Sequence, residues 1–326
     1  MMYGNLFYAG IWGMVILFCS TAAITQKPSG KYQAICDTSS LLDDAAFSKG
    51  LVLEGTNTST VRRDVFIFPY GRHARQVQWG LAEWGSRYPL RAFKKNTTGK
   101  KAVYAARGKK IIFEKCAGSR HITMEVAASE EYNAPRREGV EWPHLLLGQT
   151  FSGKPFLKDL EGLVLKFSGR LTKAVLRMPQ NEFDRGLHTA QFQLFITVEN
   201  LNPASPGHGD FFWFGIPFYD YRYKTIQRFA AQDLGKSDAS GKFIYSMGSM
   251  DFMNGSFHSG QWITVEKDIL PMMKNAVELA KQRGYLNGSA FEDLGLSSMN
   301  LGWEVPGTLD VGFEFKGFDV LKRVRR

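Results

Sequence analysis

The chain has 326 residues, 44% of them hydrophobic and 22% charged, with 33 glycines and 13% aromatics. This is the composition of an ordinary globular protein with ample length for a core, leaning toward strands and many turns. Lysine and arginine (41) outnumber aspartate and glutamate (31), and the formal charge of +10 favours anionic partners. No basic run is long enough for a nucleic-acid tail; the densest, LKRVRR at the C-terminus, reads as a solvated end.

The first charged residue is Lys27. Before it stand the apolar run Ile11 to Phe18 and the small residues Ser20, Thr21, Ala22 and Ala23. This predicts a secretory signal over residues 1–23, cleaved near Ala22 or Ala23 and taking Cys19 with it. The segment before the apolar run lacks Lys and Arg, so a retained anchor over residues 5–24 is the competing reading. Bulky Phe18 argues against a lipoprotein site at Cys19. With the signal removed, no other segment is long and apolar enough to span a membrane, and the expected location is secreted, periplasmic or at the cell surface. Cys36 and Cys116 then either pair as a disulfide or stay as free buried thiols. Asn57, Asn96, Asn254 and Asn287 begin glycosylation sequons that matter only in a eukaryotic source.

From Val61 onward short apolar runs alternate with turn signals. VFIFPYG, KAVYAARGKKIIFEK and HITMEVAAS each read as a strand or hairpin, with Arg107-Gly108-Lys109 as a turn. WPHLLLGQTF, LVLKFSGRLTKAVLRM, TAQFQLFITVEN, DFFWFGIPFYDYRY, GKFIYSMGS and HSGQWITVEK continue the series, and GTLDVGFEFKGFDVL closes it. One helix interrupts it near 269–284: Ile269, Met272, Met273, Ala276, Val277 and Ala280 recur at helical spacing, Asp268 can cap the start and Gly284 the end. The expected fold is all-β, a two-sheet antiparallel β-sandwich of jelly-roll type with this one short amphipathic helix. No repeat, low-complexity tract or linker is visible, so residues 28–326 read as a single domain.

Strand alternation sorts the candidate site residues. Phe192, Leu194, Ile196 and Val198 share a core face; Gln191, Gln193, Phe195 and Thr197 share the other, where amides can meet hydroxyls and an aromatic can stack on a sugar. In the next strand Phe212, Phe214, Ile216 and Phe218 fall to the core. Phe211, Trp213, Gly215 and Tyr219 fall to a cleft, with Asp220 and Arg222 just beyond; a wholly buried strand is the alternative. Gly215 leaves room for a flat ligand or for a close-packed neighbour. In REGVEWPHLLLGQ, Trp142 and His144 share a face, Glu141 points with Leu145, Leu147 and Gln149, and His144 can carry protons near neutral pH or be structural. In NLGWEVPG, Trp303 and Glu304 make either a sugar platform beside a carboxylate or a packed indole beside a solvated one. No phosphate loop, GxSxG elbow or zinc pattern appears. No cofactor is called for; a structural calcium would need denser oxygen ligands than any loop offers.

WPHLLLGQTF, TAQFQLFITVEN, FFWFGIPFYDYR, GQWITVEKDILP and GWEVPG together resemble the secreted bacterial carbohydrate-active β-sandwich proteins of the concanavalin A-like lectin/glucanase group. The resemblance covers most of the chain after residue 60. It lacks the spaced acidic triad of laminarinase-type glucanases and the arginine-glutamate, Gln-x-His and tyrosine-lysine set of alginate lyases. It implies a polysaccharide or oligosaccharide partner lying across one sheet, with a monomer expected and no nucleic acid. The favoured reading is a glycan-cleaving enzyme. As a hydrolase it would draw on Glu141, Asp220 and Glu304, two carboxylates standing about 5 Å or about 6.5–9.5 Å apart. As a lyase it would use His144 or Tyr219 as base, with Arg222 or a glutamine neutralising charge, and the positive net charge leans that way. Trp213, Trp303, Gln191, Gln193 and Gln149 are the candidate substrate contacts. A non-catalytic glycan-binding protein and a structural surface protein with all aromatics in the core are the alternatives.

Overall fold

The computed structural model describes residues 36–56, 65–71, 76–90, 94–234 and 239–325; the expected signal segment lies outside them. In chain order the strands are β1 (Cys36–Ser40), β2 (Leu51–Gly55), β3 (Phe66–Ile67), β4 (Trp79–Ala82), β5 (Lys94–Thr98), β6 (Lys101–Ala106), β7 (Lys109–Cys116), β8 (Ser119–Ala127), β9 (His144–Thr150), β10 (Leu160–Leu176), β11 (Gln191–Asn200), β12 (Phe211–Asp220), β13 (Phe229–Gln232), β14 (Phe243–Ser246), β15 (Ile263–Asp268), β16 (Leu294–Glu304) and β17 (Leu309–Arg325). They form two sheets. The first runs β15-β10-β17-β8-β7-β6-β5, with β1 also on β17; the second runs β13-β14-β12-β11-β16-β9-β4-β2-β3.

The fold is the expected all-β sandwich, with a single α-helix among the described residues. It departs from a purely antiparallel one at two pairs: β12–β14 and β2–β4 are parallel. The first arises because the chain leaves β12, lays β13 at the sheet edge and returns between them as β14. The core is sealed by aromatic contacts from sheet to sheet. Phe192 stacks on Phe313 with centroids 4.2 Å apart, and Phe218 on Phe167 at 4.0 Å. Stacked rings of this kind add to the stabilisation their buried area already gives.

Local signals read from the chain are realised. Helix α1 spans Leu270–Gln282 and buries Leu270, Met273, Ala276, Val277 and Ala280. Asp268 Oδ1 accepts the Leu270 and Leu163 N–H groups, tying the helix start to β10. At the other end Gly284, at φ 83°, lets its own N–H and that of Tyr285 bond back to Lys281 and Ala280, a Schellman closure. Arg107 and Gly108 turn β6 into β7. Cys36 and Cys116, one of whose expected fates was a disulfide, are free thiols at partly buried positions.

One irregularity decides which residues reach the site. Gln193 pairs with Pro217, but Phe192 pairs with Tyr219, so β12 carries one extra residue at that point. Pro217 has no N–H to give, which suits it to such a bulge. The alternation of β12 slips by one: Phe218 and Tyr219 both turn into the core, and Asp220 turns outward opposite Gln191.

Candidate functional site

The outward face of the second sheet carries a cleft of about 720 Å³, of the size small ligands occupy. Strand pairing lays its floor out as a grid. His144 on β9 faces Glu304 on β16, Glu304 faces Gln191 on β11, and Gln191 faces Asp220 on β12. The next row holds Leu146, Gly302, Gln193 and Pro217, and the row after it Gly148, Asn300, Phe195 and Gly215. The polar row is closed at one end by Trp84 and Trp142, whose rings each lie 6.0 Å from that of His144. The rest of the lining includes Trp213, one row beyond Gly215 on β12, with Tyr223, Phe229 and Leu234. Phe229 is 56% and Leu234 68% exposed, so that rim offers apolar surface to a ligand.

Glu304 and His144 form the chemical centre of the row. His144 Nδ1 donates to the Trp84 carbonyl at 3.0 Å, because a carbonyl can only accept. Nε2 is left facing Glu304 Oε2 at 3.4 Å. Glu304 also accepts from Gln193 Nε2 at 3.2 Å and Trp142 Nε1 at 3.4 Å. Its side chain is 19% exposed, enough for a ligand to touch it, whereas that of His144 is 3% exposed and acts through its partner.

Asp220 has the opposite character. It is 2% exposed and accepts from Thr189, from Gln191 and three times from Arg222, once through the backbone N–H and twice through the guanidinium fork. A carboxylate offers about four lone-pair sites, so Asp220 is saturated. Burial alone would pull the Arg222 guanidinium down, but the hydrogen bonds and charge of Asp220 outweigh it and hold it above its ordinary range. Arg228 is paired with Asp251 at 3.0 Å. The described lining contains two guanidiniums against the carboxylates of Asp220, Asp233 and Glu304, so the excess positive charge of the chain is not concentrated here.

Of the residues expected at the site, the structure brings His144, Gln191, Gln193, Trp213, Asp220, Arg222 and Glu304 together in this cleft. Four are elsewhere. Trp303, adjacent to Glu304 on a strand, must point the opposite way; it is fully buried against Phe192 and Tyr219 and donates to the Met124 carbonyl. Tyr219 is turned inward by the bulge, and burial pushes its hydroxyl far above the usual range, which removes it as a base. Gln149 shares the core-side parity of Leu145 and Leu147, and its Oε1 accepts the Asp43 N–H. Glu141 is exposed, outside the cleft lining. The space over Gly215 is taken by the Phe195 ring: a Cβ there would lie 2.7 Å from it.

Sequence reasoning missed Trp84, Arg228, Phe229, Asp233 and Asn300. Asn300 was findable, since it shares the parity of Glu304. Trp84 was not, because it reaches the cleft from a loop. That loop passes so close to Trp142 that a Cβ on Gly85, at φ +64°, would lie 2.2 Å from the Trp142 carbonyl. The indole Nε1 of Trp84 and Oδ1 of Asn300 are buried without a partner. Among the described residues no three His, Cys, Asp or Glu side chains converge as a metal site needs.

No protein-family profile matches the chain, and no curated protein is similar to it in sequence. Among solved structures it is similar to a family 12 xyloglucanase from Bacillus licheniformis (TM-score 0.40, 11% identity, covering 71% of this chain and 97% of that one). It is also similar to the endoglucanase cel12A from Rhodothermus marinus (0.36, 12%, 71% and 97%) and the family 11 xylanase from Neocallimastix patriciarum (0.36, 10%, 71% and 95%). At these scores and identities the likeness carries no inference about what this chain does.

Proposed function

We propose that the chain cleaves an uncharged polysaccharide by hydrolysis in this cleft, with Glu304 as the proton donor. The carrying observation is the paired placement of Glu304 and His144 on the cleft floor, a partly exposed carboxylate held 3.4 Å from a buried imidazole nitrogen. In that reading Glu304 protonates the glycosidic oxygen as the carbon–oxygen bond breaks, and a proton from solvent returns to the Glu304–His144 pair afterwards. Water adds to the sugar carbon and gives its own proton to solvent. Asp220, fixed in the Arg222 fork, holds the Gln191 amide in place on the cleft floor. Trp84, Trp142 and Trp213 offer stacking faces, and the amides of Gln191 and Gln193 offer hydroxyl partners.

The cancelled charge of the cleft and the inward turn of Tyr219 weigh against a lyase, which would need an anionic substrate and a reachable base. Secretion and a monomeric state remain parts of the proposal; a polymer substrate outside the cell fits both. The saturation of Asp220 favours one second reading, a glycan-binding protein without cleavage, because no lone pair is left there to activate water. Incubation with soluble glucans and xylans, following new reducing ends, tests the two. Reducing ends that vanish in Glu304→Gln support hydrolysis. Retention on the same glycans without any cleavage supports binding alone.

A further inference from the structure

Outside the cleft lining, four buried side chains close on one another: Lys109, Glu83, Ser86 and Glu131. The ammonium of Lys109, at the start of β7, stands 3.1 Å from Glu131 and 3.7 Å from Glu83. Its Nζ also donates to Ser86 Oγ, which in turn donates to Glu131 Oε1. A charge so enclosed keeps its place only where its partners keep theirs. The carboxylates grip the loop after β4 as well. Glu83 Oε1 accepts the Leu90 N–H at 2.6 Å, and Glu131 Oε2 accepts the Arg87 N–H at 2.7 Å.

Glu83 and Ser86 bracket Trp84 in the chain, and the Trp84 carbonyl is what holds His144, accepting both its Nδ1–H and its backbone N–H. Glu131 is followed by Tyr132, whose hydroxyl donates at 3.1 Å to the carbonyl of Val305, the residue after Glu304. The Val305 N–H in turn bonds the carbonyl of Pro143, the residue before His144. Both members of the His144–Glu304 pair are thus held by segments that meet at Lys109. Their 3.4 Å separation is long for a hydrogen bond, so a small displacement of either changes how the two groups engage.

We propose that Lys109 is a positioning residue of the cleft: through Glu83, Ser86 and Glu131 it sets the Trp84 carbonyl, and with it the orientation of the His144 ring against Glu304. The proposal rests on the reading of Glu304 as proton donor, but its first test needs no activity. In nitrogen-15 NMR of the full chain, the enclosed His144 Nδ1–H should give a ring-proton signal that exchanges slowly with water. Lys109→Met combined with Glu83→Gln and Glu131→Gln leaves a neutral cluster of similar size, a kind of replacement that often preserves stability. This triple variant should keep its denaturation midpoint yet exchange the His144 proton at least about tenfold faster. Ser86→Ala, which keeps all three ionisable groups, should move the same signal in the same direction, and it decides alone if the triple variant does not fold. Lys110→Met, at the next position on β7, where the ammonium pairs with Glu125 at 2.6 Å, should change nothing. On a glycan that the unaltered chain cleaves, the triple variant should lose about 10- to 100-fold in kcat with KM little changed, since Gln191, Gln193 and Trp213 lie off this loop. A chain that cleaves no glycan would sink the reading of Glu304 and leave the NMR result to decide on Lys109. A His144 ring-proton signal missing from the unaltered chain would overturn the proposal. So would normal exchange in Ser86→Ala or in the folded triple variant, faster exchange only in step with a lowered midpoint, or an equal effect of Lys110→Met.

Discussion

Glu304 and Trp303 are neighbours in the chain and have nothing in common in the fold. A strand's period of two sends one into the cleft and the other into the core, which is why reading them as a joint sugar platform failed while the glutamines and Trp213 fell where alternation put them. The two should respond to substitution in opposite ways. Glu304→Gln keeps the shape of the side chain and removes its proton, so cleavage should fall at least about 100-fold while oligosaccharide affinity changes little; reducing-end assays and calorimetry check this. Trp303→Ala should instead lower unfolding free energy by about 3–5 kcal/mol, read by denaturant titration, because it empties a fully buried site.

Among the elements, the loop between β4 and the short run to Leu90 shapes the cleft without contributing a reacting group. Gly85 lets it press against Trp142, and the Trp84 carbonyl holds His144 by its ring N–H and its backbone N–H. Gly85→Ala meets both a left-handed backbone and a carbonyl with no room to give. It should cost more than about 1 kcal/mol of stability and weaken glycan binding in the cleft without altering its charge. Calorimetry together with thermal unfolding would check both effects. Helix α1, by contrast, was legible with its caps because periodicity, Asp268 and Gly284 are all local. The longer strands were legible for the same reason, whereas the short β4, β5 and β13 were not. The parallel β12–β14 and β2–β4 pairs were not, since partner choice depends on long-range closure that short runs do not encode.

At the scale of the whole molecule, two sets of buried carboxyls tie stability to pH in opposite senses. Burial works against the charges of Asp310 and Glu314. Hydrogen bonds from Arg177 and Ser129 to the first, and from His121 and Arg170 to the second, more than offset it and hold both below their ordinary values. A depressed folded value means the stabilisation is complete above the ordinary value and is lost as pH falls through the lowered one. The chain should therefore lose stability steeply below about pH 4. Glu83 runs the other way. It is sealed with Glu131 around the single ammonium of Lys109, and burial raises it despite that cation. With a raised folded value its contribution is best at low pH and worsens as pH climbs through the raised value. Glu83→Gln should thus stabilise the chain at pH 8 more than at pH 5, measured as denaturation midpoints at both.

The extra residue in β12 behaves like a frame shift written in three dimensions. Excise Phe218, and the ladder closes without a bulge: Tyr219 stays opposite Phe192 and Asp220 opposite Gln191, so the Asp220–Arg222 clamp keeps its place. What is lost is the ring stacked on Phe167. The surplus residue thus gives its length to the core, and its deletion would be felt as instability before it was felt in the cleft.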